Sequence, residues 1–165
     1  MTPKTGDVVF IARAEHDHAV DAGKRRSNAS GDRGSRGAGE NSYFHICGCL
    51  AEAALQHQLG LTVNIEVSNG PVLGPDACFD GVAYDAKWKN PYVWTSTIKP
   101  HIVYVCYRQD KKDPLKFTVL NVATGQQILD RDEWPPEYEV NWRGNTRKSN
   151  LWFGTHSGEK RKKSA

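Results

Sequence analysis

Apolar positions recur at four-residue spacing along one clear stripe, Cys47, Ala51, Leu55 and Leu59, with Leu50 and Ala54 beside it. That stripe predicts an amphipathic helix over 42–59. Asn41 or Ser42 is placed to cap its start, and Gly60 stands where a left-handed C-terminal residue is wanted. Before it, 8–12 reads as a strand and 15–28 as a polar stretch of helical character. After it the period becomes two. Residues 61–67 read as a strand closed by the Asn69-Gly70 turn signal, 76–89 as a tight hairpin, and 101–108 and 117–122 as strands joined through the charged turn 110–114. A further helix has room only between Trp88 and Lys99 or after Gln126. The expected fold class is α/β of the α+β kind, a mixed β-sheet core flanked by helices.

Two stretches break the pattern. Between 23 and 39, Gly23, Gly31, Gly34, Gly37 and Gly39 alternate with Lys24, Arg25, Arg26, Arg33 and Arg36, and so much glycine argues against a regular helix or strand there. The segment is either a solvated loop or a basic loop that meets phosphates. Beyond Asp130 periodicity is lost, Pro135-Pro136 interrupts the chain, and the end reads as a basic tail through Lys160, Arg161, Lys162 and Lys163. The organisation expected is an N-terminal strand, helix and basic loop over 1–40, a core over 41–130, and an irregular basic extension over 131–165.

The 165 residues suit one domain, and the 22 basic and 19 acidic side chains leave a formal charge of +3. The strongest apolar run, 102–107, is too short to span a bilayer, and Asp7 and Arg13 bracket the early apolar run where a signal peptide would need a longer one. Cys47, Cys49, Cys78 and Cys106 fall on helix-like and strand-like segments, so reduced thiols and a cytoplasmic setting are expected. His45, Cys47 and Cys49 have zinc-ligand chemistry but not the usual spacing, and His16 and His18 lie in a polar stretch. No nucleophile elbow, assignable Cys-His pair or phosphate-binding Gly-Lys-Ser/Thr loop occurs.

The informative segment is Pro75-Asp76-Ala77-Cys78-Phe79-Asp80-Gly81-Val82-Ala83-Tyr84-Asp85-Ala86-Lys87-Trp88-Lys89. With Asp80-Gly81 as the two-residue turn, Phe79 pairs with Val82, Cys78 with Ala83, Ala77 with Tyr84 and Asp76 with Asp85. If the turn slips to Val82-Ala83, Asp80 faces Asp85 instead. Either register sets two carboxylates together with Lys87 alongside, which costs the sheet stability unless something positive lies between them. A magnesium ion, or manganese in its place, has the matching chemistry. Glu52, beside the apolar stripe of the helix, is placed to lean over the sheet as a third carboxylate, and Lys87 to assist an attacking water. Taken singly each residue has a plainer reading: Asp80 a turn residue, Asp85 a partner of Lys87 or Lys89, Glu52 a solvated helix position.

Together Glu52, Asp80 or Asp76, Asp85 and Lys87 resemble the motif of the PD-(D/E)xK nuclease superfamily: a helix acid, a strand aspartate and an acid-x-lysine on the next strand. The resemblance covers about 41–125. The Phe79-Asp80-Gly81 step looks like the short-hairpin members, and His45 to Ala53 looks like small nuclease-like proteins of phages and mobile elements. It implies a restriction-endonuclease-like fold and a magnesium-dependent endonuclease that hydrolyses DNA phosphodiester bonds. Glu52, Asp80 and Asp85 would then be metal ligands and Lys87 catalytic. Turn chemistry favours Asp76 for the strand aspartate and motif spacing favours Asp80; Asp80 ranks first and Asp76 second.

Charge distribution adds a partner. Lys24, Arg25, Arg26, Arg33, Arg36, Lys89, Arg143, Arg147 and Lys148 are the candidate DNA contacts, with Trp142, Trp152 and Phe153 available for stacking. Cutting both strands of a duplex favours a homodimer. The rival expectation is a noncatalytic DNA-binding or interaction protein with a nuclease-like fold, and a toxin effector is a third.

Overall fold

The computed structural model describes residues 2–30, 38–67, 74–89, 93–94, 98–130 and 147–148. Its elements are β1 (Val8–Phe10), α1 (Arg13–Ser30), α2 (Ala38–Gln58), β2 (Ala77–Phe79), β3 (Val82–Trp88), β4 (Val93–Trp94), β5 (Val103–Gln109), β6 (Lys116–Thr124), α3 (Gly125–Leu129) and β7 (Arg147–Lys148). Five strands form one mixed sheet in the order β1-β6-β5-β3-β2, and β4 pairs with β7 separately. Only β3 and β5 run parallel; the other neighbours are antiparallel. The α+β class expected from the sequence is the observed one.

The pleat sends alternate side chains to two apolar clusters. Tyr84, Ala86, Val105, Tyr107, Phe117 and Val119 face α1 and α2, where Leu50, Leu55 and Leu59 complete the main core. Tyr104 and Cys106 point the other way, onto Ile98, Ile102 and Ile128. Leu55 and Phe117 are fully buried, and each such side chain contributes about 1.5–3 kcal/mol.

Several turn and cap expectations are met. The β2–β3 hairpin turns at Asp80-Gly81, both with positive φ, 51° and 75°, as a two-residue turn of this type demands. Its register is Phe79 with Val82, Cys78 with Ala83 and Ala77 with Tyr84. Gly60, at φ 75°, closes α2 in a Schellman motif: the Leu61 N–H donates to Gln56 O and the Gly60 N–H to His57 O, both at 2.9 Å.

Three local expectations are corrected. Helix α1 continues through Gly23, Lys24, Arg25 and Arg26 to Ser30, and α2 begins at Ala38, before the Asn41 or Ser42 cap site. The glycine in α1 serves contact and not flexibility: a Cβ on Gly23 would lie 2.5 Å from the Ile46 Cα. Residues 61–67 form no strand. Their alternation is real, since Ile65 is buried and Leu61, Val63 and Val67 pack on the core. Their main-chain groups, however, are satisfied by helix side chains and not by a ladder. The Asn64 N–H donates to Gln56 Oε1 at 2.7 Å, the Ile65 N–H to His18 Nε2 at 3.2 Å, and Arg26 Nε donates to Glu66 O at 2.8 Å. His18 is therefore held in the fold and not simply solvated. The expected loop residues Arg33 and Arg36, and Arg143, Trp142, Trp152, Phe153 and the basic tail, lie outside the described residues.

The helix crossing gives a direct test. Gly23→Ala is expected to destabilise the protein by about 1–3 kcal/mol in urea denaturation, because the methyl must displace backbone. Gly48→Ala in α2, where a Cβ meets open space, is expected to be neutral or to stabilise by up to about 1 kcal/mol.

Candidate active site

The site is assembled where β2 runs out. On β3, the Tyr84 and Ala86 main-chain groups face β2, but β2 extends back only to Ala77. Asp76 fills the gap twice: its N–H donates to Tyr84 O at 2.9 Å, and its carboxylate Oδ2 accepts the Ala86 N–H at 2.7 Å. That carboxylate therefore stands at the sheet edge in place of a ladder partner. Gln56, almost wholly buried on α2, holds the same residue from the helix side, its Nε2 donating to Asp76 O and to Asn64 O at 3.2 Å.

The other charges approach Asp76 from the two sides of the sheet. Asp85 and Lys87 alternate with the core-facing Tyr84 and Ala86, so they share the face of Tyr104 and Cys106. Lys87 Nζ makes an ion pair with Asp85 Oδ1 and lies 5.7 Å from the Tyr104 ring centroid. Asp85 Oδ1 is buried and has no aligned hydrogen-bond donor. From the helix side, Glu52 is 9 % exposed and is gripped by Arg26 of α1. Arg26 Nη1 donates to Glu52 Oε1 and Nη2 to Oε2, the latter at 3.1 Å.

Three carboxylates thus share this edge with two cations. The imbalance falls on Asp76: burial, then the Asp85 and Glu52 charges, push its carboxyl up to about 8, against the opposing pull of the Ala86 N–H and Lys87. Burial works against the charges of Arg26 and Lys87, yet both are held above their ordinary values, Arg26 by Glu52 and Lys87 by Asp85. Near neutral pH a proton on Asp76 brings the cluster to zero net charge.

The structure brings together Asp76, Asp85, Lys87 and Glu52. Asp80, ranked above Asp76 from motif spacing, sits exposed at the tip of the turn; the Asp80-Gly81 register is the one formed, and it keeps Asp80 away from Asp85. Glu52 reaches the site, but both its oxygens are turned to Arg26. Arg26, expected among phosphate-contacting loop residues, is instead inside the acidic cluster. Lys24, Arg25 and Lys89 are exposed, with Arg25 Nε paired to Asp21 at 3.0 Å. Arg147 and Lys148 form β7. Gln56 is a residue the sequence reading missed; it lies four residues after Glu52, and that spacing on one face of the helix was the readable signal.

Asp76 and Asp85 are the donor set a divalent cation would use. Among the described residues no three His, Cys, Asp or Glu side chains stand together as a ready ligand set. Two carboxylates fit magnesium, which keeps several waters and commonly takes one or two carboxylates. The proton that Asp76 holds is the one such an ion would displace.

Without divalent ions, the folded state keeps the Asp76 proton to about pH 8, whereas the unfolded chain sheds it near 3.8. The folded state therefore binds more protons across that window, and stability falls as pH rises through it. Asp76→Asn, which keeps an acceptor for the Ala86 N–H, is expected to flatten that slope and to stabilise the protein on the order of 2 kcal/mol at the alkaline end, read by urea denaturation in chelator. Compared with known proteins, the chain matches no family model, no curated protein and no solved structure.

Proposed function

We propose that the protein is a divalent-metal-dependent endonuclease hydrolysing DNA phosphodiester bonds at the Asp76, Asp85 and Lys87 site. The observation carrying this reading is the Asp76 carboxylate held at the sheet edge with Asp85 on one side and Glu52 on the other, its carboxyl raised to about 8 by burial first and then by those two charges. Satisfying the Ala86 amide accounts for Asp76 but not for the two further carboxylates set against it, and perturbed carboxyls concentrate at functional sites. The arrangement is also the one implied by the resemblance to PD-(D/E)xK nucleases, with Pro75-Asp76 and Asp85-Ala86-Lys87 as its elements.

Charge balance supports the substrate class. A divalent ion in place of the Asp76 proton leaves the cluster one positive charge in excess, which a phosphodiester's single negative charge offsets. Bound magnesium or manganese would polarise a phosphoryl oxygen and acidify a water. Asp76 and Asp85 would hold the ion, Asp76 fixed by the Ala86 N–H and Asp85 by the strand. Lys87 would orient the attacking water and steady charge developing on the phosphoryl oxygens. Lys24, Arg25 and Lys89 are exposed to meet backbone phosphates. Cutting a duplex on both strands would take two copies. Among the described residues no helix is long and apolar enough to cross a membrane. All four cysteines are free, three of them buried, which supports the cytoplasmic setting included in this reading.

A second reading has its own observation: Arg26 occupies Glu52, so the site can stand assembled without an ion. On that view the protein binds DNA and does not cut it.

Supercoiled plasmid incubated with magnesium or manganese is expected to be nicked and linearised, and chelator to stop it. Lys87→Ala and Asp76→Asn are each expected to lower the rate by about a hundredfold or more, while Asp80→Asn stays near the parent. Equal cutting by Lys87→Ala refutes the site. Retarded plasmid migration with no cutting favours the binding protein.

A further inference from the structure

Strand β1 closes one end of the five-stranded sheet, with β6 on one side and no strand of that sheet on the other. The Ile11 N–H donates to Leu115 O at 3.0 Å and the Val119 N–H to Asp7 O at 2.8 Å. With Val9 paired to Phe117, residues 7, 9 and 11 turn their main-chain groups to β6, and Val8 and Phe10 turn theirs away from it. The side chains of those two residues are 49 % and 59 % exposed, on the sheet face opposite the buried Val9. Sheet edges are commonly blunted by lysine, proline or a bulge. None of these falls within Val8–Phe10, and among the described residues no second main-chain partner meets Val8 or Phe10.

We propose that β1 is a homodimerisation edge, pairing antiparallel with β1 of a second copy about a twofold axis at Val9 to make one ten-stranded sheet. The strand is its own complement. In that register Val8 of each copy faces Phe10 of the other, and both pairs exchange N–H and C=O bonds, so every outward main-chain group of the two residues is satisfied. A β-branched side chain then lies against an aromatic one on each side of the axis, a favourable cross-strand combination. Charge agrees with the register: Asp7 comes opposite Ile11, so no like charges face each other. Across the sheet the row runs Lys116, Phe10, then Val8 and Thr118 of the second copy, which keeps the two Lys116 side chains apart. The same patch serves both copies, as a twofold interface requires. Strand β2, beside Asp76, is the opposite edge of the sheet. The pairing therefore leaves that edge open, and the inference does not depend on the chemistry there.

Three residues per strand make a small interface of the weak class. Sedimentation velocity on the full chain is therefore expected to show a monomer–dimer equilibrium with Kd of about 10–500 μM. Phe10→Lys charges the edge, and Phe10→Pro deletes only the outward N–H while leaving the β6 ladder intact. Each is expected to weaken association by about tenfold or more, with the far-UV circular dichroism of the parent. Val8→Cys/Phe10→Cys in a Cys78→Ser background, which removes the exposed native thiol, is expected to give a disulfide-linked two-chain band under mild oxidation. Phe10→Cys alone in that background is expected to give far less, since position 10 faces position 8 of the other copy. A parent that stays monomeric to about 1 mM overturns the proposal. So does association that survives both Phe10→Lys and Phe10→Pro, or that is lost instead with Phe44→Lys in the exposed aromatic pair of α2. If the lysine and proline variants fail to fold, the cross-link decides: equal linkage by the double and single cysteine variants overturns the pairing.

Discussion

A carboxylate standing in for a missing strand residue is the constraint on which this site depends. β2 begins only at Ala77, and the next edge-facing amide of β3, Ala86, is satisfied by the Asp76 side chain. An unsatisfied amide there would cost about 1–3 kcal/mol, so the carboxylate has a structural reason to be present. The same bond fixes it between Asp85 on one side of the sheet and Glu52 on the other. Local backbone satisfaction thus forces a meeting of like charges, and the meeting gives the edge its chemical potential. The fold can tolerate the meeting with a proton on Asp76; a cation is the alternative.

Cations reach the edge by two separate routes. Lys87 arrives by strand alternation, two residues beyond Asp85 on the same face. Arg26 arrives by helix packing: without a side chain at position 23 the two helices approach until a guanidinium three residues on reaches Glu52. Gln56, one turn beyond Glu52, ties Asp76 and the extended segment 61–67 to the same helix. Sheet edge, helix crossing and that segment therefore share one polar network, so a change in helix packing is felt at the acids.

Elements governed by local rules were legible in the sequence. The hairpin register followed from Asp80-Gly81, whose residues suit positive φ, and the α2 terminus from Gly60. Of the two candidate strand aspartates, turn chemistry already put Asp76 opposite Asp85, whereas motif spacing pointed to Asp80, which the register formed leaves exposed at the turn. What was missed is nonlocal. Nothing in the order Gly23-Lys24-Arg25-Arg26 shows that the glycine touches Ile46, so a helix read as a loop and Arg26 as a phosphate contact. Likewise 61–67 has the alternation of a strand, and only the fold shows Gln56, His18 and Arg26 taking its main-chain bonds. The acids could be gathered from the sequence; the base that neutralises one of them could not.

The chemistry of this edge turns on the protonation of one side chain. The carboxyl 13C resonance of Asp76, assigned by its absence in Asp76→Asn and followed across pH in metal-free solution, measures it directly. A midpoint near 8, moving sharply downward when magnesium is added, is the predicted result. A midpoint near the ordinary 3.8, unmoved by magnesium, would mean that the acids do not press on one another and that no cation is called for.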